Sequence, residues 1–213
     1  MAVIDSYSEA NRDDTEGVYN GLKTGVGQSF TNTNAAVLTS CKFYLWKNGS
    51  PTGNAVAKLY AHSGTYGTDS IPTGAALATS DNFDVSTLTA AWTLITFTFS
   101  GANQINLAAS TYYVITFEYT GGDVSNNIGV GIDASSPSHS GNYSRYISSW
   151  SAYNPEDVIF YVYGAVSSAS PSVSPSVSLS PSISPSISPS LSPSVSISPS
   201  VSPSRSPSIS PSW

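Results

Sequence analysis

Very little in this sequence is equipped for chemistry. One cysteine, Cys41, and two histidines, His62 and His139, are present among 213 residues. A lone cysteine forms no intrachain disulfide and builds no thiolate metal cage. Set in a strand-like run, Cys41 reads as a small buried hydrophobe. Charge is scarce as well: 9% of residues are Asp, Glu, Lys or Arg, against about a quarter in ordinary globular proteins. Basic residues are the scarcer kind, seven against thirteen acids, with Arg205 alone beyond Val166. Recognition of a phosphate backbone needs clustered Lys and Arg, so nucleic acid is not an expected partner. No apolar run approaches the roughly 20 residues of a membrane span, and membrane insertion is not expected. The opening MAVIDSYSEANRDD has neither a basic n-region nor a long apolar h-region, so no signal peptide is expected. Polarity comes instead from Ser, Thr, Asn and Gly, the surface of a secreted or particle-bound β protein. That composition points outside the cell, to a virion or cell surface, with release alongside a virus particle as one route.

What the sequence does contain divides at residue 166. From Ser168 to Ser212 every even-numbered residue is Ser, and from Pro171 the odd positions hold Pro or an aliphatic residue, apart from Arg205 and Trp213. Proline at intervals of four or six forbids helix and removes the donors an interior strand needs. The aliphatic residues are single and separated by Ser, too sparse to offset the entropy of ordering the backbone. Residues 167–213 are therefore expected to form a disordered or polyproline-II-like Ser/Pro tail, reaching on the order of 140 Å at full extension. The reading is an uncharged spacer. Glycosylated serines and alignment of many copies into a fibre or homo-oligomer are the alternatives.

Residues 1–166 carry a different signal, period-two alternation bounded by Gly, Asn and Pro turns. In residues 38–46 (LTSCKFYLW), Cys41, Phe43 and Leu45 alternate against Lys42, Tyr44 and Trp46. The turn KNGSPTG at 47–53 then predicts a hairpin into residues 55–60 (AVAKLY). Residues 92–99 set Ile95, Phe97 and Phe99 on one face; residues 111–119 do the same with Tyr113, Ile115, Phe117 and Tyr119. Residues 157–164 (DVIFYVYG) close the head with Val158, Phe160 and Val162 inward. No stretch shows a 3.6-residue apolar period. Short strands, β-branched and aromatic residues and long irregular connections predict an all-β fold, an antiparallel jelly-roll β-sandwich.

The order GQSF at 27–30, SCKFYLWKNGSPTGNAVAKLYAHSG, ALATSDNFDVSTL, WTLITFTFSG, STYYVITFEYTGG and a closing DVIFYVYG resembles the choice-of-anchor R type of domain. The resemblance covers residues 20–164 and rests on spacing rather than a chemical motif. It implies a non-catalytic β-sandwich of the kind carried by bacterial surface proteins. Similar heads that start with a stretch like MAVIDSYSEAN occur in phage structural proteins. In this chain the Ser/Pro tail stands where those proteins carry an anchor.

Motifs for catalysis are few. HSGTY at 62–66 and HSGNY at 139–143 echo one another, and each pairs a histidine with nearby hydroxyls. A nucleophile adjacent in sequence to its base is not triad geometry, and no G-x-S-x-G elbow is present. Both segments read as turns at two corners of the sandwich. A glycosidase would need two facing carboxylates; Glu118 lies within a strand, and Asp123, Asp133, Glu156 and Asp157 lie at strand ends. Solvated surface acids and turn formers are the preferred account of them. No cofactor is expected. A structural calcium would draw on Asp13, Asp14, Glu16, Asp133, Glu156 and Asp157, of which Asp133, Glu156 and Asp157 are the weak candidates retained, although no D-x-[DN]-x-[DN]-G loop appears.

Residues 133–157, DASSPSHSGNYSRYISSWSAYNPED, are the most suggestive stretch. Tyr143, Tyr146, Trp150 and Tyr153 are interleaved there with His139, Arg145 and Ser/Asn. Aromatic faces stack on sugar rings while polar groups bond the hydroxyls, and a sugar site needs both together. The same tyrosines and Trp150 could instead pack on the sheet or meet another protein. Trp46, pointing away from the Phe43 and Leu45 face, is a second candidate. The expectation is a non-catalytic surface or virion module that binds glycans weakly through many copies. Its rivals are a structural assembly protein that contacts other envelope or virion proteins, and a polysaccharide hydrolase.

Overall fold

The computed structural model describes residues 1–166; the expectation of a disordered Ser/Pro tail falls outside the described residues. In chain order the strands are β1 (Ala2–Tyr7), β2 (Asp14–Val18), β3 (Gly25–Asn32), β4 (Ala36–Asn48) and β5 (Asn54–Ser63). They continue with β6 (Ile71–Thr79), β7 (Phe83–Asp84), β8 (Thr93–Thr98), β9 (Asn106–Leu107) and β10 (Thr111–Glu118). The last are β11 (Asn127–Asp133), β12 (Tyr143–Tyr146), β13 (Trp150–Tyr153), β14 (Asp157–Val158) and β15 (Phe160–Val166). Only single 3-10 turns at Glu9–Asn11, Val85–Thr87 and Gly101–Asn103 interrupt them among the described residues.

Two antiparallel sheets pack face to face. In the eight-stranded sheet, β4 takes β15 and then β11 along one edge, and β9 and β8 along the other. The seven-stranded sheet runs β13-β12-β3-β10-β5-β6, with β7 also on β5. Within these lie the runs β2-β11-β4-β8 and β3-β10-β5-β6. Their strands are reached by repeated crossings between sheets, which is jelly-roll connectivity. The expected sandwich is the observed one.

Alternation placed the core correctly. Cys41, Phe43 and Leu45 of β4 are buried against Tyr113, Ile115 and Phe117 of β10, with Val158, Phe160 and Val162 beside them. Burial pushes the Cys41 thiol pKa well up, as expected of a packing residue. Phe43, Phe97 and Phe117 form a triangle across the two sheets, with ring centroids 5.8 to 6.1 Å apart. Such tilted pairs favour contact of a ring edge with a ring face.

The expected hairpin at 47–53 is corrected. β4 belongs to the eight-stranded sheet and β5 to the seven-stranded one, so KNGSPTG carries the chain across the sandwich. Alternation specifies which side chains face inward, not which sheet supplies the neighbouring strand. A second difference concerns the outward positions of β10: Val114 and Thr116 are fully buried. The seven-stranded sheet is curled. Trp150 on β13 meets Tyr60 on β5 across it, at 6.2 Å between rings, and β13 approaches β6.

The HSGTY and HSGNY segments do not occupy two separate corners. Tyr66 and Ser140 share a hydroxyl hydrogen bond of 3.1 Å, and the Ser70 amide donates to Asn142 Oδ1 at 3.0 Å, so the two loops pack on one another. Gly141 lies where a Cβ would overlap the Ser29 carbonyl oxygen of β3. Gly141→Ala should therefore cost about 1–3 kcal/mol by overpacking, read as a lower urea midpoint with an unchanged m-value. An unchanged midpoint would show that the loop shifts without cost.

Candidate ligand-binding site

The β12–β13 hairpin pairs Tyr143 with Tyr153, Ser144 with Ala152, Arg145 with Ser151 and Tyr146 with Trp150. Because side chains alternate, Tyr143 and Arg145 leave one face while Ser144 and Tyr146 leave the other. The aromatic stretch is thereby divided. Tyr143 is 0% exposed and donates its hydroxyl to Glu16 Oε2 at 3.0 Å. Burial first, and then the Glu16 charge, push its pKa far up. Tyr143 is thus a core residue, not a surface contact. Arg145 lies 4.2 Å over the ring of Tyr153, which is 39% exposed, and its buried Nε has no protein partner.

Tyr146 and Trp150 stand on the other face, in the trough of the curled sheet. Their rings meet edge to face at 5.4 Å. Trp150 approaches so closely because Gly25 lies beneath it: a Cβ there would sit 3.0 Å from Trp150 Cη2. Glu118, at the end of β10, completes the wall. Its Oε2 accepts from Lys58 Nζ at 2.6 Å, and its Oε1 accepts from the Tyr60 hydroxyl at 2.9 Å and from Thr116 Oγ1 at 3.0 Å. Burial and then the Glu118 charge push the Tyr60 pKa up, so Tyr60 stays a donor. Thr24, Glu118, Thr120, Tyr146 and Trp150 enclose an open cavity of about 200 Å³. Its lining residues carry two aromatic rings, a carboxylate and hydroxyl groups.

No family model matches the chain, and no curated protein matches it. Among the described residues no helix is long and apolar enough to cross a membrane.

The remaining expected contacts lie elsewhere. Trp46 is on the outer face of the eight-stranded sheet, against Gly129, with Trp92 at 5.9 Å. Trp92 in turn meets Tyr44 at 5.2 Å and carries the Arg12 guanidinium 4.7 Å above it. That cluster fills itself, and it faces away from the trough. His139 is a pillar of its loop. Its Nδ1 accepts from the Gly141 amide at 3.0 Å, which places the ring proton on Nε2, 3.2 Å from Asp5 Oδ1.

The proposed calcium ligands are likewise engaged by protein donors. Asp133 Oδ2 accepts from the Tyr7 hydroxyl at 2.6 Å and its Oδ1 from the Ser136 amide at 3.0 Å. Asp157 accepts from Gln28 Nε2 at 2.8 Å and from the His139 amide at 2.9 Å. Asp13 holds the Ala134 and Ser135 amides, and Glu16 pairs with Lys23. Among the described residues no three His, Cys, Asp or Glu side chains are placed to share a metal ion.

Glu156 is an exception to this satisfaction. Burial, followed by the charges of Glu16 and Asp14, raises its pKa above the ordinary carboxylate value. The folded state therefore binds this proton more tightly than the unfolded chain. The resulting penalty is absent in acid and appears as pH rises through the folded value. Glu156→Gln should raise Tm by about 1–2 °C near neutral pH and leave it unchanged below about pH 4. A gain that persists in acid would assign the effect to something other than ionisation.

Glu118, Thr24 and Thr120 escaped the sequence reading as ligand contacts. Glu118 is separated from Lys58 by 60 residues and lies two strands before the β12–β13 hairpin that carries Trp150, and only strand register unites them. The one available signal was an acid inside the alternating run 111–119.

Proposed function

We propose that this protein is a non-catalytic accessory module of a phage particle or bacterial envelope, akin to choice-of-anchor R type domains, that captures glycans weakly at the trough. The observation that carries this reading is the convergence of Trp150 and Tyr146 with Glu118, Thr24 and Thr120 around one open cavity. Aromatic rings meet the apolar faces of a sugar, and the carboxylate and hydroxyls bond its edges. A volume near 200 Å³ suits one sugar unit. A contact this small is weak alone. Presented in many copies on a particle, with the Ser/Pro tail as spacer, it gains about 10²–10⁴ in avidity.

The test uses the full chain displayed multivalently on a glycan array and in pull-downs with insoluble polysaccharides. Selective capture that Trp150→Ala removes supports the reading. A folded chain that captures no glycan overturns it in favour of a purely structural assembly protein. Release of soluble sugar from a polysaccharide would instead make the protein a hydrolase.

A further inference from the structure

The polar wall of the trough restricts which sugars can enter it. We infer that the site takes uncharged sugar units and rejects uronic, sialic and sulfated ones, with Glu118 as the residue that discriminates. This rests on the glycan reading above and adds a ligand class to it.

The argument is an accounting of hydrogen bonds. An ionised carboxylate offers about four lone-pair positions. On Glu118 the Tyr60 hydroxyl donates to Oε1 and the Lys58 ammonium to Oε2, while the single proton of the Thr116 hydroxyl is shared between Oε1 and the Lys58 carbonyl oxygen. At least one acceptor position remains, on Oε2. The Glu118 side chain is 16% exposed and that of Lys58 28% exposed, so both still meet solvent. The ammonium has three donors, of which the carboxylate uses one. The pair therefore offers at least one acceptor beside free donors, which matches hydroxyls that both give and accept protons. A carboxylate or sulfate on the ligand has no proton for Glu118 and brings a like charge against it.

Among the described residues no uncompensated cation stands at the trough to receive an anionic group. Lys58 is already neutralised by Glu118, and Arg145 leaves the opposite face of the hairpin to lie over Tyr153. The head as a whole is acidic, with thirteen acids and six bases before Val166. A neutral sugar is unaffected by this field, whereas an anionic one meets it in a partly desolvated site where screening is weak.

The full chain, displayed multivalently, is applied to an array of neutral glycans, each printed beside its sialylated, uronate-bearing or sulfated counterpart. The wild type is expected to capture the neutral member at least tenfold better. Glu118→Gln removes the charge and leaves Lys58 unpaired. Neutral capture should then fall several-fold while acidic capture rises, moving the ratio at least tenfold towards the acidic member. Lys58→Gln should move it the opposite way, and that variant decides the matter if Glu118→Gln does not fold. Equal or better capture of acidic glycans by the wild type overturns the inference but not the glycan reading. A parallel loss of both by Glu118→Gln, with no change in ratio, also overturns it and assigns Glu118 a structural role. No capture of any glycan by a folded chain overturns both.

Discussion

Replacing Phe117 by alanine is expected to cost about 3–5 kcal/mol of stability. Phe117 is 0% exposed on β10, which is hydrogen-bonded on both sides, to β3 and to β5. Its ring lies 6.0 Å from Phe43 and 5.8 Å from Phe97, both supplied by the other sheet. Removing it deletes contacts across the sandwich at the point where the two sheets are pinned together. The surrounding strands are held by their own ladders and cannot close the space, so a cavity penalty adds to the lost transfer energy. For a domain of this size such a loss lowers Tm by roughly 10 °C or more. Calorimetry or urea unfolding of the full chain provides the check. A change below about 1 kcal/mol would mean that the sheets repack freely, contrary to a ladder-fixed core. Phe83, on the short edge strand β7 and only partly buried, should cost distinctly less when truncated.

Trp150→Ala is expected to produce the largest functional change, at least a tenfold loss of glycan capture per site. Tenfold corresponds to about 1.4 kcal/mol, within reach of removing one stacking ring and the apolar area it covers. The ring projects into the trough rather than into the buried core, touching Tyr60, Tyr146 and Gly25. Its truncation should therefore spare the Phe43, Phe97 and Phe117 triangle and leave cooperative unfolding intact. Capture by the array and a thermal melt of the same preparation separate the two effects. Trp150→Phe should keep part of the binding. If Trp150→Ala unfolded the chain, the indole would be a strut holding the curled sheet, and the ligand contact would pass to Tyr146 and Glu118.

Much of the fold follows from the order of residues alone. Period-two runs such as Cys41, Phe43 and Leu45, or Tyr113, Ile115 and Phe117, can bury themselves only as strands facing a core. The inward faces, the all-β class and the packing role of Cys41 are consequences of that local constraint. The scarcity of basic residues and the repeat beyond Val166 are likewise properties of composition. Strand pairing belongs to the tertiary structure. KNGSPTG has the composition of a hairpin turn, yet it crosses between sheets, because β4 pairs with β8, β11 and β15 while β5 pairs with β6 and β10. The site depended on the same non-local choice. Alternation sends Tyr143 into the core and Tyr146 into the trough from one hairpin, but the curl of the sheet brings Trp150 to Tyr60, and register brings Glu118 to Lys58. Local sequence determines which face a side chain takes. The free energy of burying whole sheets against each other determines which faces meet.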